Sequence, residues 1–253
     1  MWNTIWTFFH KLASPPHFYR ISAILLPWIA IPGYLLVAWG TYNGLFVAPE
    51  DYQQKDAFRI IYVHVPSAYL SMMAYMIMAI SAGIGLIWRM KLAHAVAAAA
   101  APIGAAFTFL ALATGSIWGR PMWGTWWEWG DPRLTSELIL LFLYFGYMAL
   151  RSSISDTAKA DKASAVLAMV GAINVPIIHF SVVWWTSLHQ GKTLLAEGGP
   201  AIDAGMLYPL LANIFGFSLI FGSMLLRRVR TEVLFRERRK RWVKELALGG
   251  QPA

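Results

Sequence analysis

Trp118-Gly119-Arg120-Pro121-Met122-Trp123-Gly124-Thr125-Trp126-Trp127-Glu128-Trp129-Gly130-Asp131-Pro132-Arg133-Leu134-Thr135 lies between two long apolar runs and carries five tryptophans together with Arg, Glu and Asp. A buried helix excludes that much charge, and an ordinary loop does not concentrate so many indoles. A tryptophan ring can rest on an apolar face while its N–H reaches a polar partner, so it suits a surface with one dry side and one wet side. The segment therefore reads as chain lying at an apolar–water boundary, and the runs flanking it read as membrane spans.

Composition agrees. The 253 residues are 58% hydrophobic and 13% charged, with a mean hydropathy of +0.51, which leaves too little polar surface for a soluble globule. The chain has no cysteine, which excludes a disulfide framework, a thiolate metal site, a catalytic thiol and a CxxCH haem attachment site. Iron held by such a chain must be ligated by His, Met or carboxylate, or by the ligand's own chemistry.

Working outward, the pattern predicts an all-α polytopic protein with six transmembrane helices in a single membrane domain, residues 1–253. Residues 1–20 read as an interfacial segment rather than a cleaved signal, since no small-residue cleavage site follows the first apolar run. The spans are expected at 21–42, 60–88, 92–117, 134–150, 163–183 and 205–226. Pro66 is expected in the first turn of the second span, and the small residues of the third should allow close helix packing. Pro176 predicts a kink in the fifth. Residues 118–135 form the outward tryptophan segment and 227–253 a basic tail.

Six spans place both termini on one side. Only five of the 21 Lys and Arg residues, Lys55, Arg59, Arg120, Arg133 and Lys192, fall in the loops of the opposite side. The positive-inside tendency makes the termini cytoplasmic and the tryptophan segment outward-facing. The net charge of +8 is thus mostly topology, and nucleic acid is not an expected partner; the tail would instead meet anionic lipid or a cytoplasmic protein.

Three outward elements then share one face: the loop ending at His64, the tryptophan segment, and the loop carrying His189. Two histidines flanking an aromatic platform would suit a planar iron-containing ligand, with Arg59, Arg120, Arg133 and Lys192 available to its anionic groups. Plainer readings stand beside this one. A histidine at a membrane interface is usually a hydrated side chain, and tryptophans there form aromatic belts, with Trp123, Trp126 and Trp127 on one side of a surface helix. Asp131 before Pro132 matches a helix N-cap with proline at the first helical position. Glu137 would either sit favourably at that helix's positive end or mark a polar cavity. His179 is expected to bond backbone freed by Pro176, while His10, His17 and His94 fall on the cytoplasmic side.

Gly191-Lys192-Thr193 looks like the end of a phosphate-binding loop, but Thr186 occupies the required earlier glycine position, so no ATP site is expected. No Ser-His-Asp order, HExxH or paired-carboxylate pattern appears, and the chain is not expected to be an enzyme.

These residues resemble the haem-handling proteins of bacterial cytochrome c maturation, which carry an outward WWD segment between flanking histidines. The likeness runs through Arg59-Ile60-Ile61-Tyr62-Val63-His64-Val65-Pro66, Trp118 to Leu134, Pro176-Ile177-Ile178-His179 and Leu188-His189-Gln190-Gly191, and is closest to the smaller six-span branch, the CcmC family. The resemblance implies that His64 and His189 are axial ligands of haem b (iron protoporphyrin IX). It further implies that Trp118, Trp123, Trp126, Trp127, Trp129 and Asp131 form the haem platform. The implied task is delivery of haem at the periplasmic face of the bacterial inner membrane to the chaperone CcmE. The implied partners are the ATPase pair CcmA and CcmB and the small membrane subunit CcmD. Gly130 departs from the family pattern by separating Asp131 from the last tryptophan. Two other classes remain as alternatives: a six-span permease subunit for haem or another small solute, and a structural assembly subunit.

Overall fold

A computed structural model describes residues 14–185, 187 and 202–249. Its helices are α1 (Pro15–Tyr42), α2 (Ile61–Trp88), α3 (Lys91–Trp123), α4 (Pro132–Ser153), α5 (Thr157–Gly171), α6 (Asn174–Trp184), α7 (Ala204–Arg236) and the short α8 (Arg241–Ala247). A π-helical turn, Asn43–Val47, ends α1, and a 3-10 turn, Asp56–Ile60, leads into α2. Six helical segments are long and apolar enough to cross a membrane, α5 and α6 forming one of them together. The chain is a multi-pass α-helical membrane protein.

The core lies where α2 and α3 pack along each other, with α4 and α5 against them and α1 laid on α7. Alanines and glycines make this possible, because interhelical contact in lipid depends on close packing rather than on hydrophobic expulsion from water. Ala97, Ala100 and Ala101 are buried in the main cluster with Tyr75 and Tyr144. At Gly104 a methyl group would stand 2.1 Å from the Tyr144 hydroxyl, which instead donates to the Ser71 carbonyl at 2.8 Å. Large apolar side chains on α1, among them Ile24, Trp28, Ile31 and Leu35, are exposed, as expected where lipid rather than protein covers a helix.

Four boundaries differ from the sequence reading, each for a physical reason. The third span continues through Trp118 to Trp123 and stops where Gly124 adopts φ 78°, a left-handed C-terminal cap open to glycine at little cost. The first part of the tryptophan segment is therefore helix, whereas Trp126 and Trp127 lie outside any helix and do not continue the helical side begun by Trp123. Pro66 is the sixth residue of α2, not in its first turn, since the helix begins at Ile61 directly after the 3-10 turn Asp56–Ile60. The fifth span breaks at Ala172 and Ile173, ahead of Pro176; proline lacks the N–H that would bond the Ala172 carbonyl and its ring crowds that group, so the interruption falls one turn earlier.

The sixth span extends ten residues past Leu226, to Arg236, so much of the basic tail is ordered helix. Arg236 makes paired contacts of 2.6 and 2.8 Å with Asp161 and reaches Glu232 at 2.8 Å, while Arg151 contacts Glu232 at 2.5 Å. Arg230 lies over the Tyr19 ring at 3.7 Å. These contacts hold the extension of α7 against α1, α4 and α5. His179 is exposed with its ring edge-on to Phe180 at 4.8 Å, and among the described residues it makes no hydrogen bond to the backbone freed by Pro176, contrary to expectation.

Candidate functional site

His64 is the fourth residue of α2 and only 5% exposed. Its seat is one face of α3. The imidazole Nδ1 is 3.0 Å from Thr114 Oγ1, the ring meets Trp118 edge-on at 5.6 Å and 71°, and Gly115 leaves room beneath it, since a methyl there would stand 3.1 Å from Cε1. Thr114 and Trp118 are four residues apart, one helical turn, so both reach the same ring.

Trp118 is fixed from its other side. Its Nε1 donates to Gln54 Oε1 at 3.0 Å. Gln54 is placed by a tight turn in which the Asp51 carboxylate accepts the N–H groups of Gln53 and Gln54 at 2.9 and 2.7 Å, an Asx turn. Lys55 closes that turn at φ 51°, a region that is costly for a residue with a Cβ. The loop between the first two spans thus reaches the histidine through one indole, a role the sequence reading did not assign to Gln54.

The non-helical part of the tryptophan segment, 124–131, is pinned along its length. Thr125 Oγ1 donates to the Trp127 carbonyl at 2.9 Å, and Gly119 permits the return of the chain, since a methyl there would lie 2.9 Å from the Thr125 carbonyl oxygen. Trp127 and Trp129 meet edge-on at 5.5 Å. Asp131 is buried and caps α4, accepting from the N–H groups of Arg133 and Leu134 at 2.9 and 3.0 Å. Its second oxygen accepts from the Ser187 hydroxyl at 2.7 Å. Gly130 is absorbed in a turn where its N–H donates to Glu128 Oε1 at 3.1 Å, so Asp131 keeps an inward register despite the additional residue.

The five indoles divide by exposure. Trp118 is buried and Trp127 packs on the main core, whereas Trp126 and Trp129 are 58% and 72% exposed. Trp123 is half-buried, with its ring 6.3 Å from Trp118. Trp127 Nε1 is buried without a hydrogen-bond partner among the described residues, and Trp123, Trp126, Trp127 and Asp131 line one shallow cleft. A second cavity is lined by His64, Arg133 and Glu137 among apolar neighbours. There Glu137 Oε1 is likewise buried and unpartnered, so Glu137 marks a polar cavity as well as an early turn of α4. That cavity leaves about 30 Å³ for water centres, room for one or two waters.

Arg59 is engaged within its own loop, contacting Asp56 and the Gly44 carbonyl, each at 2.8 Å, and Arg120 donates to the Gly124 carbonyl. Arg133 alone of the outer arginines lines the cavity of His64. His189 and Lys192 lie outside the described residues. The structure thus brings His64, Trp118, Trp123, Trp126, Trp127, Trp129, Asp131 and Arg133 to one end of the bundle and leaves Arg59 tied to the first loop.

This arrangement suits a broad, flat, partly anionic ligand. His64 and Arg133 line one cavity, and the exposed Trp126 and Trp129 rings at the same end of the bundle offer flat apolar surface to such a ligand. The Trp127 N–H supplies a donor that burial makes costly to leave unpaired.

Comparison with known proteins gives the same direction. The family model for heme exporter protein C matches residues 8–244. Heme exporter protein C of Escherichia coli (strain K12) is 50% identical over 248 residues, covering 98% of both chains. The protein of that name from Bradyrhizobium diazoefficiens is 50% identical over 225 residues, 89% of this chain and 85% of the relative. The Haemophilus influenzae one is 48% identical over 243 residues, 96% and 98%. A match of this extent includes every span and the whole tryptophan segment, and the chain belongs to the heme exporter protein C (CcmC) family.

Proposed function

We propose that the protein binds haem b at the end of the bundle that carries His64 and the tryptophan segment, and delivers it to the chaperone CcmE during maturation of c-type cytochromes. The observation that carries this reading is the seating of His64 against Trp118 beside two exposed indoles and a buried, unpartnered Trp127 N–H. In this role His64 and His189 would hold the haem iron, Trp126 and Trp129 would support the macrocycle and Arg133 would pair with a propionate. The Ser187–Asp131 bond ties the chain entering the His189 loop to the tryptophan segment.

In this reading the protein sits in the bacterial inner membrane with this face towards the periplasm, an orientation that the positive-inside charge distribution supports. The chain itself is a haem-binding and delivery protein rather than an enzyme. CcmA and CcmB supply ATP hydrolysis, and CcmD completes the complex.

Protein purified from haem-replete cells should show a Soret band, and His64→Ala and His189→Ala should each weaken it. A wild-type protein that remains haem-free under those conditions overturns the proposal. Loss of haem transfer to CcmE with haem binding intact would remove only the delivery step.

A further inference from the structure

Imidazole coordinates iron through an unprotonated nitrogen, and a neutral ring has one such nitrogen in each tautomer. Which one it is depends on what the other nitrogen touches. For His64, Nδ1 lies 3.0 Å from Thr114 Oγ1, with the Ala111 carbonyl of the same stretch of α3 as a further acceptor for the ring. A hydroxyl has one hydrogen to give. Thr114 Oγ1 is 2.6 Å from the Leu110 carbonyl oxygen, a distance at which the hydrogen must lie between the two oxygens. With that hydrogen committed to a carbonyl, which only accepts, Thr114 presents a lone pair to the histidine. Nδ1 is then the protonated nitrogen, and Nε2 carries the coordinating lone pair.

We propose that Thr114 is a positioning residue for the haem site, locking His64 in the Nδ1–H tautomer and aiming Nε2 at the iron. The orientation is held on three sides. Thr114 takes Nδ1–H, Trp118 closes against the ring at 5.6 Å, and the missing side chain of Gly115 leaves the space that Cε1 occupies. All three come from one turn of α3, so the third span acts as a jig for a histidine on the second. A hydrogen bond from the non-coordinating nitrogen also raises the basicity of the ligating one.

The inference rests on His64 being an iron ligand, and its test separates the two ideas. The tautomer is read without haem, from nitrogen and carbon shifts of the His64 ring in isotopically labelled protein in bilayers, assigned by comparison with His64→Ala. The wild type and Thr114→Ser should show Nδ1–H, and Thr114→Val, equal in shape but without the hydroxyl, should lose that preference. In haem titrations Thr114→Val should bind roughly 10- to 100-fold more weakly, the usual effect of deleting such a partner, with a shifted spin-state spectrum, while Thr114→Ser stays close to wild type. A wild-type ring protonated at Nε2, or a Thr114→Val protein with unchanged tautomer and affinity, overturns the inference. A correct tautomer in a protein that never binds haem would instead overturn the haem proposal. Comparable membrane accumulation and thermal unfolding of the three proteins establish that folding is not what differs.

Discussion

Asp131→Ala should destabilise the protein far more than Asp131→Asn, and the difference can be worked from three hydrogen bonds. The carboxylate accepts the backbone N–H groups of Arg133 and Leu134 at 2.9 and 3.0 Å and the Ser187 hydroxyl at 2.7 Å. Loss of the N-cap costs about 1 kcal/mol, and loss of a hydrogen bond to a buried charged group roughly 1.5 kcal/mol. Alanine should therefore cost about 2 to 3 kcal/mol, roughly a 30- to 140-fold change in the folding equilibrium at 1.4 kcal/mol per tenfold. Asparagine caps as well as aspartate, and its amide can donate to Ser187, whose hydroxyl both gives and accepts. It gives up only the negative charge at the positive end of α4, about 0.5 kcal/mol. Unfolding of the purified protein in mixed micelles, followed by circular dichroism, measures both. Because the same carboxylate anchors the end of the tryptophan segment, haem retention should fall in the same order. An alanine variant as stable as wild type, or an asparagine variant as weak as alanine, would refute the capping argument.

Gln54→Leu should leave Trp118 Nε1 without its partner at 3.0 Å, cost about 1 to 2 kcal/mol and loosen the contact between Trp118 and His64; a broadened, weakened Soret band and a red-shifted tryptophan emission are the expected readouts, and unchanged spectra would count against this relay. Arg236→Ala should cost about 3 kcal/mol, because it strips a buried carboxylate of its paired contact, the Arg236 and Asp161 side chains being 10% and 7% exposed. The double replacement Arg236→Met with Asp161→Leu should cost markedly less in the same unfolding assay; a double variant as weak as the single one would show that the network does more than neutralise buried charge.

Much was legible along the chain. Apolar runs of bilayer length identify six spans, because backbone in lipid must satisfy its own hydrogen bonds and a helix does so within one segment. Asp131 followed by Pro132 identified the start of α4, since cap and proline act within three residues of each other. Boundaries set by competition between local forces were less legible. Gly124 rather than Trp118 ends α3, because aromatic residues do not stop a helix, whereas a glycine able to turn left-handed does. The break before Pro176 shows the same limit, since proline disturbs the turn preceding it and not its own position.

The sequence by itself determined the six spans and that His64 and the indoles share one end of the bundle, because successive spans alternate direction. It did not distinguish among the tryptophans. Trp118 proves to be a buried link between Gln54 and His64, whereas Trp126 and Trp129 face outward. Nor did it single out Thr114, one polar residue in an alanine-rich span, although its spacing of one turn from Trp118 was visible. Only the tertiary structure decided these roles. A side chain's partner across helices depends on how α2 and α3 are rotated and how closely their small residues let them approach, and that geometry is fixed by packing of the whole bundle.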